Sequence, residues 1–284
     1  SSERMKDKSQ AEALLAECRK ASQAVLQKNE RKEKTERPPA LYDLTSLQRD
    51  ANRLLGYSAQ QTLDYTQALY EKKLVTYPRT DSRYLTEDME PGLLDLVRQT
   101  AAHFGVTGEI PIHAKQVINS KKVSDHHAIL PTRSMANADL SSLPAGEAHV
   151  LRLIAARLLA AVGEPYRYAE TTVQMECAGT VFTAKGKTVL AEGWKAVERA
   201  VLGDTAEKDK EKLEILPEVQ ERETMPVLDA QLKEGKTSPP KHYTEDTLLS
   251  AMETAGKEEL PKEAERRGIG TPATRAGIIE KLVK

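Results

Sequence analysis

Apolar and polar positions along the chain first predict a helix. From Ser9 to about Glu33, "SQAEALLAECRKASQAVLQKNERKE" sets apolar side chains at helical spacing and ends in a solvated charge run. "RPPALYDL" breaks that helix, because proline cannot continue it and pushes its predecessor out of the α region. Two helices follow, "LTSLQRDANRLLG" and "SAQQTLDYTQALYEKK". The first is expected to stop at Gly56, and the second opens with Ser58 and Gln61 at capping-box spacing. "LVTY" is short and β-branched, which predicts an extended segment, and Thr86 is placed to cap a further helix. "AGEAHVLRLIAARLLAAVG" is apolar enough to be a buried helix, stopped by Gly163 and Pro165.

After Pro165 the period changes. "YRYAETTVQMECAGTVFTAKGKTVLAEGW" alternates polar and apolar residues with glycines between the runs, which predicts an antiparallel meander of three strands. "GDTAEKDKEK" reads as a charged loop, and "LEILPEVQERETMPVLDAQLKEGKTSPP" as extended structure interrupted by prolines. From Tyr243 the pattern is helical again, in "YTEDTLLSAMETAG" and "ERRGIGTPATRAGIIEKLVK". The expected fold class is mixed α and β, mostly helical: a helical block from Thr45 to Glu164, β-rich segments, then a second helical block.

Composition narrows the function. The 284 residues have a net charge of -1, with 39% hydrophobic and 30% charged, the balance of an ordinary soluble protein. Cys18 and Cys177 lie far apart in sequence and have no metal-binding spacing, so a reducing compartment is the expectation. No stretch approaches the roughly 20 apolar residues of a membrane span. "GKT" occurs at Gly186 and Gly235, but a phosphate-binding P-loop needs a glycine five residues earlier, where Val181 and Ala230 stand. ATP use therefore has no support. Glu207, Asp209 and Glu211 alternate with lysines in a solvated loop, and Glu87, Asp88 and Glu90 suit a helix N-terminus, so no metal site is expected within this chain.

Three short stretches carry candidate chemistry. In "LVTYPRTDSRYL", Tyr77 ends an apolar run and has Arg79 two residues away, with Thr80 and Asp81 just beyond. A packed ring is the ordinary role of such a tyrosine; a nucleophile is the sharper one. "SDHHAILPT" puts His126 and His127 beside an apolar turn. "GIGTPATRAG" offers a helix N-terminus capped by Thr271, with Pro272 at the first helical position, a geometry that suits a phosphate.

Together these stretches resemble the type IA DNA topoisomerases, in their bacterial topoisomerase III branch. The matching landmarks are "PPALYDLTSLQRDANRLLGYSAQQTLDYTQALYEKKLVTYPRTDSRYL", "SDHHAILPT", the "EGW" turn and "YTEDTLLSAMETAG…GIGTPATRAGIIEKL", in the family's order across nearly the whole chain. The resemblance implies that Tyr77 attacks a DNA phosphodiester and holds the 5′-phosphate as an ester, with religation needing no ATP. It implies a catalytic role for Arg79 and His126 and a supporting one for Thr80, Asp81 and His127, with Thr80 and Asp81 orienting Arg79. A phosphate-contacting role falls on Thr274, beside Thr271, with Arg275 the weaker candidate.

The resemblance also implies an architecture. Residues 1–44 and 165–240 would form a β-rich hinge domain, 45–164 the helical domain carrying the tyrosine, and 241–284 the start of a helical single-strand-binding domain. The family's Toprim domain, with its acidic metal cluster, has no counterpart here. The sequence thus reads as a fragment whose Mg²⁺ ligands belong to that missing domain of the same polypeptide. The implied partners are single-stranded DNA and supercoiled or linked DNA, with no membrane, in the bacterial cytoplasm. Two rivals stand beside this reading. A tyrosine recombinase wants a histidine two residues short of an arginine, ahead of a late tyrosine, which His126 and His127 do not supply. A non-catalytic single-stranded DNA-binding module fits the isolated fragment.

Overall fold

The computed structural model describes residues 5–108, 111–203, 215–217, 219, 222–256 and 268–283. The expected charged loop at 203–212, with Glu207, Asp209 and Glu211, lies outside the described residues except for Gly203. The chain separates into two compact units: the described residues of 1–36, 167–191 and 211–241, and those of 37–166, 192–210 and 242–284.

The first unit is a small sheet with one helix. Helix α1 (Lys8–Lys20) starts where the Asp7 carboxylate accepts the backbone N–H groups of Ser9 and Gln10. It ends thirteen residues earlier than its charge run suggests, because residues 23–36 form strand β1 (Gln23–Glu36). Ala24 and Leu26 are buried while Gln23, Val25 and Gln27 are exposed, a period of two that the helical reading overlooked. Pairing along a sheet outweighs the helix propensity of Gln, Lys and Glu here.

The expected three-stranded meander is instead one long hairpin of β2 (Tyr166–Cys177) and β3 (Thr180–Ala191). Ala178 and Gly179 both have positive φ, 49° and 72°, as a two-residue primed turn requires. Gly186, taken as a break, sits within β3 opposite Thr171. Strand β4 (Thr224–Pro226) pairs antiparallel with β1, and the sheet order is β3-β2-β1-β4. Cys18, Ala24 and Cys177 form its small core, packed by Leu14, Ala21, Met175, Val227 and Ala230.

The second unit is helical. Helix α2 (Leu44–Leu55) is opened by a capping box between Asp43 and Ser46, and α3 (Ala59–Glu71) by one between Ser58 and Gln61. Gly56 closes α2 in the left-handed region. Helix α4 (Glu90–His103) follows a short 3-10 turn at 87–89, and Thr86 makes no side-chain cap there. Helix α5 (Ala145–Ala161) is mostly apolar and enclosed along Leu151, Leu153, Ile154, Leu158 and Leu159, with His149 and Arg152 exposed. It packs against α3 and against α6 (Trp194–Leu202). Helices α7 (Glu245–Thr254) and α8 (Pro272–Val283) complete the unit and lie on α2 and α3.

These units differ from the expected boundaries. Residues 37–44 belong to the helical unit, since Leu41, Tyr42 and Leu44 are core residues there. The described residues 192–203 also fall in it, through α6 on α5, whereas the expected boundaries put them in the hinge. The described residues of the closing block 242–284 fall in the same compact unit as the tyrosine-bearing helices.

Candidate active site

The tyrosine loop is held by a short mixed platform of extended backbone. Val75 bridges Pro131 and Tyr42 bridges Ile129. The Thr76 N–H donates to the Leu130 carbonyl at 2.9 Å, the Ile129 N–H to the Tyr42 carbonyl at 2.8 Å, and the Ala128 N–H to the Tyr84 carbonyl at 3.0 Å. The Thr76 hydroxyl adds a bond to the Ala128 carbonyl at 3.2 Å. "LVTY" and "HHAILP", about fifty residues apart in sequence, are therefore neighbours, with the apolar residues of each inside and the polar ends at one surface.

That registration sets Tyr77 against His126. Their ring centroids are 4.3 Å apart, and Tyr70 meets Tyr77 in an edge-type contact at 5.5 Å. Tyr77 is half-buried and His126 exposed. Such packing fixes the phenol ring without enclosing it. Beside His126 lies a cleft of about 390 Å³, lined by residues that include Arg79, Asp81, Ser124, His126, Thr271 and Pro272. All three candidate stretches thus converge on one cleft of the helical unit.

The expected supporting roles change in detail. The Thr80 hydroxyl donates to the His126 carbonyl at 2.9 Å and accepts the Ser82 N–H at 3.1 Å. Asp81 accepts the Ser124 hydroxyl at 3.2 Å. Both residues therefore tie the tyrosine loop to the histidine loop; neither is engaged in orienting Arg79, whose side chain is exposed at the cleft. His127 is half-buried, with Nδ1 2.7 Å from the Ala128 carbonyl, and is not among the lining residues.

The α8 entrance forms the far wall. Thr274 sits three residues into the helix and its Oγ1 accepts the Thr271 N–H at 2.9 Å, while the Thr274 and Arg275 N–H groups donate to the Thr271 carbonyl. The result is a tight, positively polarised helix end facing Arg79 across the cleft. Arg275, a candidate DNA contact, is only 3% exposed. Its guanidinium donates to the Thr45 hydroxyl at 3.0 Å and to the carbonyls of Ile269 and Gly270 at 3.0 and 3.2 Å. It is a structural anchor that fixes α8 to α2, because a buried guanidinium is stable only when its donors are paired.

Sequence reasoning missed another part of the site. Arg83 donates to Asp43 at 2.8 Å and to Glu253 at 3.1 Å, joining the tyrosine loop to the start of α2 and the end of α7. Burial opposes the charge of Arg83, but the adjacent Asp43 and Glu253 carboxylates outweigh it and raise its pKa. Asp43 was legible as a helix cap in "YDLTSLQ"; no local pattern marked Glu253.

The acids around the cleft do not fit a magnesium site. Asp43 and Glu253 are neutralised by Arg83, Asp81 accepts from Ser124, and no three metal-ligating side chains come together among the described residues. A dication needs several oxygen ligands converging on one point.

Gly268 shapes the approach to α8. Its φ is +70°, and a Cβ there would lie 2.2 Å from the Met252 carbonyl oxygen, a backbone atom that cannot move aside freely. Gly268→Ala is expected to destabilise the chain by about 1–3 kcal/mol. Thermal melting checks this; an unchanged midpoint would mean that the α7–α8 corner yields.

The comparisons with known proteins bear on the family and the fold. The DNA topoisomerase family model matches residues 1–284. The chain is 45% identical over 258 residues to DNA topoisomerase 3 of Bacillus licheniformis, covering 86% of this chain and 35% of that protein. It is 44% identical over 275 residues to DNA topoisomerase 3 of Bacillus subtilis, covering 92% and 37%. The chain thus spans a little over a third of the length of these relatives. In fold it is similar to full-length topoisomerase I from Thermotoga maritima, with a TM-score of 0.73 at 23% identity, covering 100% of this chain and 43% of that one. With its tyrosine, histidine and helix-end stretches gathered at one cleft, the chain belongs to the DNA topoisomerase family, in its type IA class.

Proposed function

We propose that this chain supplies the nucleophile's side of a topoisomerase active site that breaks and rejoins one DNA strand. The observation that carries the proposal is one cleft lined by Arg79, His126 and the α8 entrance, with the Tyr77 ring packed against His126. The Tyr77 oxygen attacks a DNA phosphorus, the bond from phosphorus to the 3′ oxygen breaks, and the 3′ hydroxyl leaves with a proton. A 5′-phosphotyrosyl ester remains. The reverse attack by the 3′ hydroxyl rejoins the strand after another has passed, so the ester bond is conserved and no ATP is consumed.

Each residue has a physical task in that step. A phenol with an ordinary pKa near 10 is a weak nucleophile at neutral pH, so stabilising the charge that builds on the phosphoryl oxygens matters most. Arg79 is exposed at the cleft with a planar pair of donors suited to phosphate. His126 stands beside the attacking ring and donates to the same phosphate. Thr271 and Thr274 order the helix end that receives a neighbouring phosphate of the strand. Mg²⁺ and its acidic ligands belong, on this reading, to a Toprim portion outside this chain.

Arg79→Lys in the complete enzyme keeps the charge but loses the two-pronged geometry. Cleavage is expected to slow roughly tenfold or more, about 1.4 kcal/mol or above in barrier. Single-turnover cleavage of a labelled oligonucleotide checks this, and an unchanged rate would make Arg79 structural.

A second reading, a non-catalytic single-stranded DNA-binding module, is favoured for the chain by itself by the lack of a metal-ligand cluster among its described residues. Under both readings this chain alone binds single-stranded DNA with Kd of roughly 10⁻⁴–10⁻⁶ M, weakening with salt. The readings part on the complete enzyme: covalent capture of DNA supports the first, and binding without capture supports the second. Titration of a labelled oligonucleotide at two salt concentrations measures the affinity, and salt-independent binding would contradict phosphate contact.

A further inference from the structure

The two cysteines come from positions 18 and 177, on different segments of the chain, yet they meet. Both are buried in the same small core of the sheet unit, Cys18 near the end of α1 and Cys177 at the end of β2. Both also line one apolar cavity of about 640 Å³ in that unit, shared with Leu14, Met175 and Phe182. They are the chain's only cysteines, so neither has a competing partner.

We propose that Cys18 and Cys177 form an oxidisable thiol pair, which a small disulfide or a peroxide converts into an intramolecular disulfide bridging the first two segments of the sheet unit. The proposal is independent of the catalytic reading. With a small disulfide, one thiolate attacks a sulfur of the oxidant and expels a thiolate, giving a mixed disulfide. The second cysteine then displaces the remaining oxidant half and closes the S–S bond. With a peroxide, the first thiolate becomes a sulfenic acid and water leaves as the second attacks. In either case two electrons and two protons pass from the pair to the oxidant, which is reduced to two thiols or two waters.

The location gives the bridge a consequence. The helical insertion, residues 37–166, leaves the sheet unit after β1 and returns at β2. A bond from Cys18 to Cys177 would join the two segments flanking that insertion, closing a loop of about 160 residues, and long loops gain most from closure. Burial, with the neighbouring Cys177 thiol, pushes the Cys18 thiol pKa up. The thiol form therefore dominates at neutral pH, and oxidation is expected to quicken as pH rises, because the thiolate is the attacking species.

The test uses this chain itself. Reduced protein is treated with glutathione disulfide, and in parallel with hydrogen peroxide, in buffer and in urea. Free thiols are then counted after denaturation and the intact mass is measured. In the folded chain both thiols should vanish together, with the mass of a monomer short of two hydrogens and a linked peptide containing Cys18 and Cys177. Closure should be roughly tenfold or more faster than in urea, where the partners are no longer held together. Cys177→Ser should stop at the mixed disulfide on Cys18. Persistent mixed disulfides in the wild-type chain, disulfide-linked dimers, two unreacted thiols, or equal rates in buffer and urea would each overturn the proposal.

Discussion

Tyr77→Phe in the complete enzyme is expected to abolish covalent DNA capture while leaving the fold intact. The substitution removes one oxygen and retains the ring that contacts Tyr70 and His126 at 5.5 and 4.3 Å. Tyr84, seven residues on, has different surroundings, with the Lys122 ammonium 4.7 Å from its ring centroid. On the proposed mechanism, loss of the Tyr77 hydroxyl removes a covalent route and not merely a stabilising contact, so the drop should reach the detection limit, about 10⁴-fold or more. Detergent-resistant DNA–protein complexes measure it, with circular dichroism as the folding control. Tyr84→Phe should capture DNA normally.

The largest stability effect is expected at Arg157, which lies beneath the tyrosine platform. Its guanidinium donates to Asp50 and, at 3.2 Å, to the Tyr42 hydroxyl, which itself donates to Asp50 at 2.8 Å; Arg157 also stacks 4.1 Å over the Tyr42 ring. Tyr42 carries the backbone bond that positions Ile129 and hence the histidine loop. Arg157→Ala would leave the Asp50 carboxylate buried with only Arg53 to balance it, at a cost of about 3–5 kcal/mol. Urea unfolding checks the value, and a loss under about 1 kcal/mol would show that the network relaxes.

The same network sets a pH dependence. Burial tends to raise the Asp50 pKa, but Arg157, Arg53 and Tyr42 together outweigh it and hold the carboxyl below the usual range. A carboxylate whose folded pKa is depressed contributes stability that is present above its unfolded pKa, near 4, and lost as pH falls through the folded value. Acid unfolding below about pH 4 should therefore be less steep in Asp50→Asn, although that variant is less stable at neutral pH.

Much of this could be read from residue order, and the failures have physical causes. Capping residues worked where the signal is local: the Ser58–Gln61 box and the Gly56 cap stand where their spacing puts them. Strand β1 was misread because "LQKNERKEKTE" favours a helix by propensity, and only its partners in the sheet make it extended. Gly186 was misread because a strand tolerates a glycine when both neighbours keep pairing. At the site, the motif residues themselves were legible, whereas their partners were not. Arg275 looked like a free cation at a helix start, yet its contacts with Thr45, 230 residues away, consume it. Arg83, Asp43 and Glu253 are joined by the fold alone. Nor could spacing show that residues 18 and 177 share one core.

The central claim is that Tyr77 is the atom-bearing link to DNA, and one measurement addresses it directly. The complete enzyme would be trapped on a labelled single-stranded oligonucleotide, treated with nuclease and digested with trypsin. Cleavage after Lys73 and Arg79 isolates Tyr77 on residues 74–79 and leaves Tyr84 on a different peptide. The account predicts a phosphonucleotide adduct on the peptide "LVTYPR", joined through the Tyr77 oxygen. An adduct on the Tyr84 peptide, or on any peptide lacking Tyr77, would contradict it.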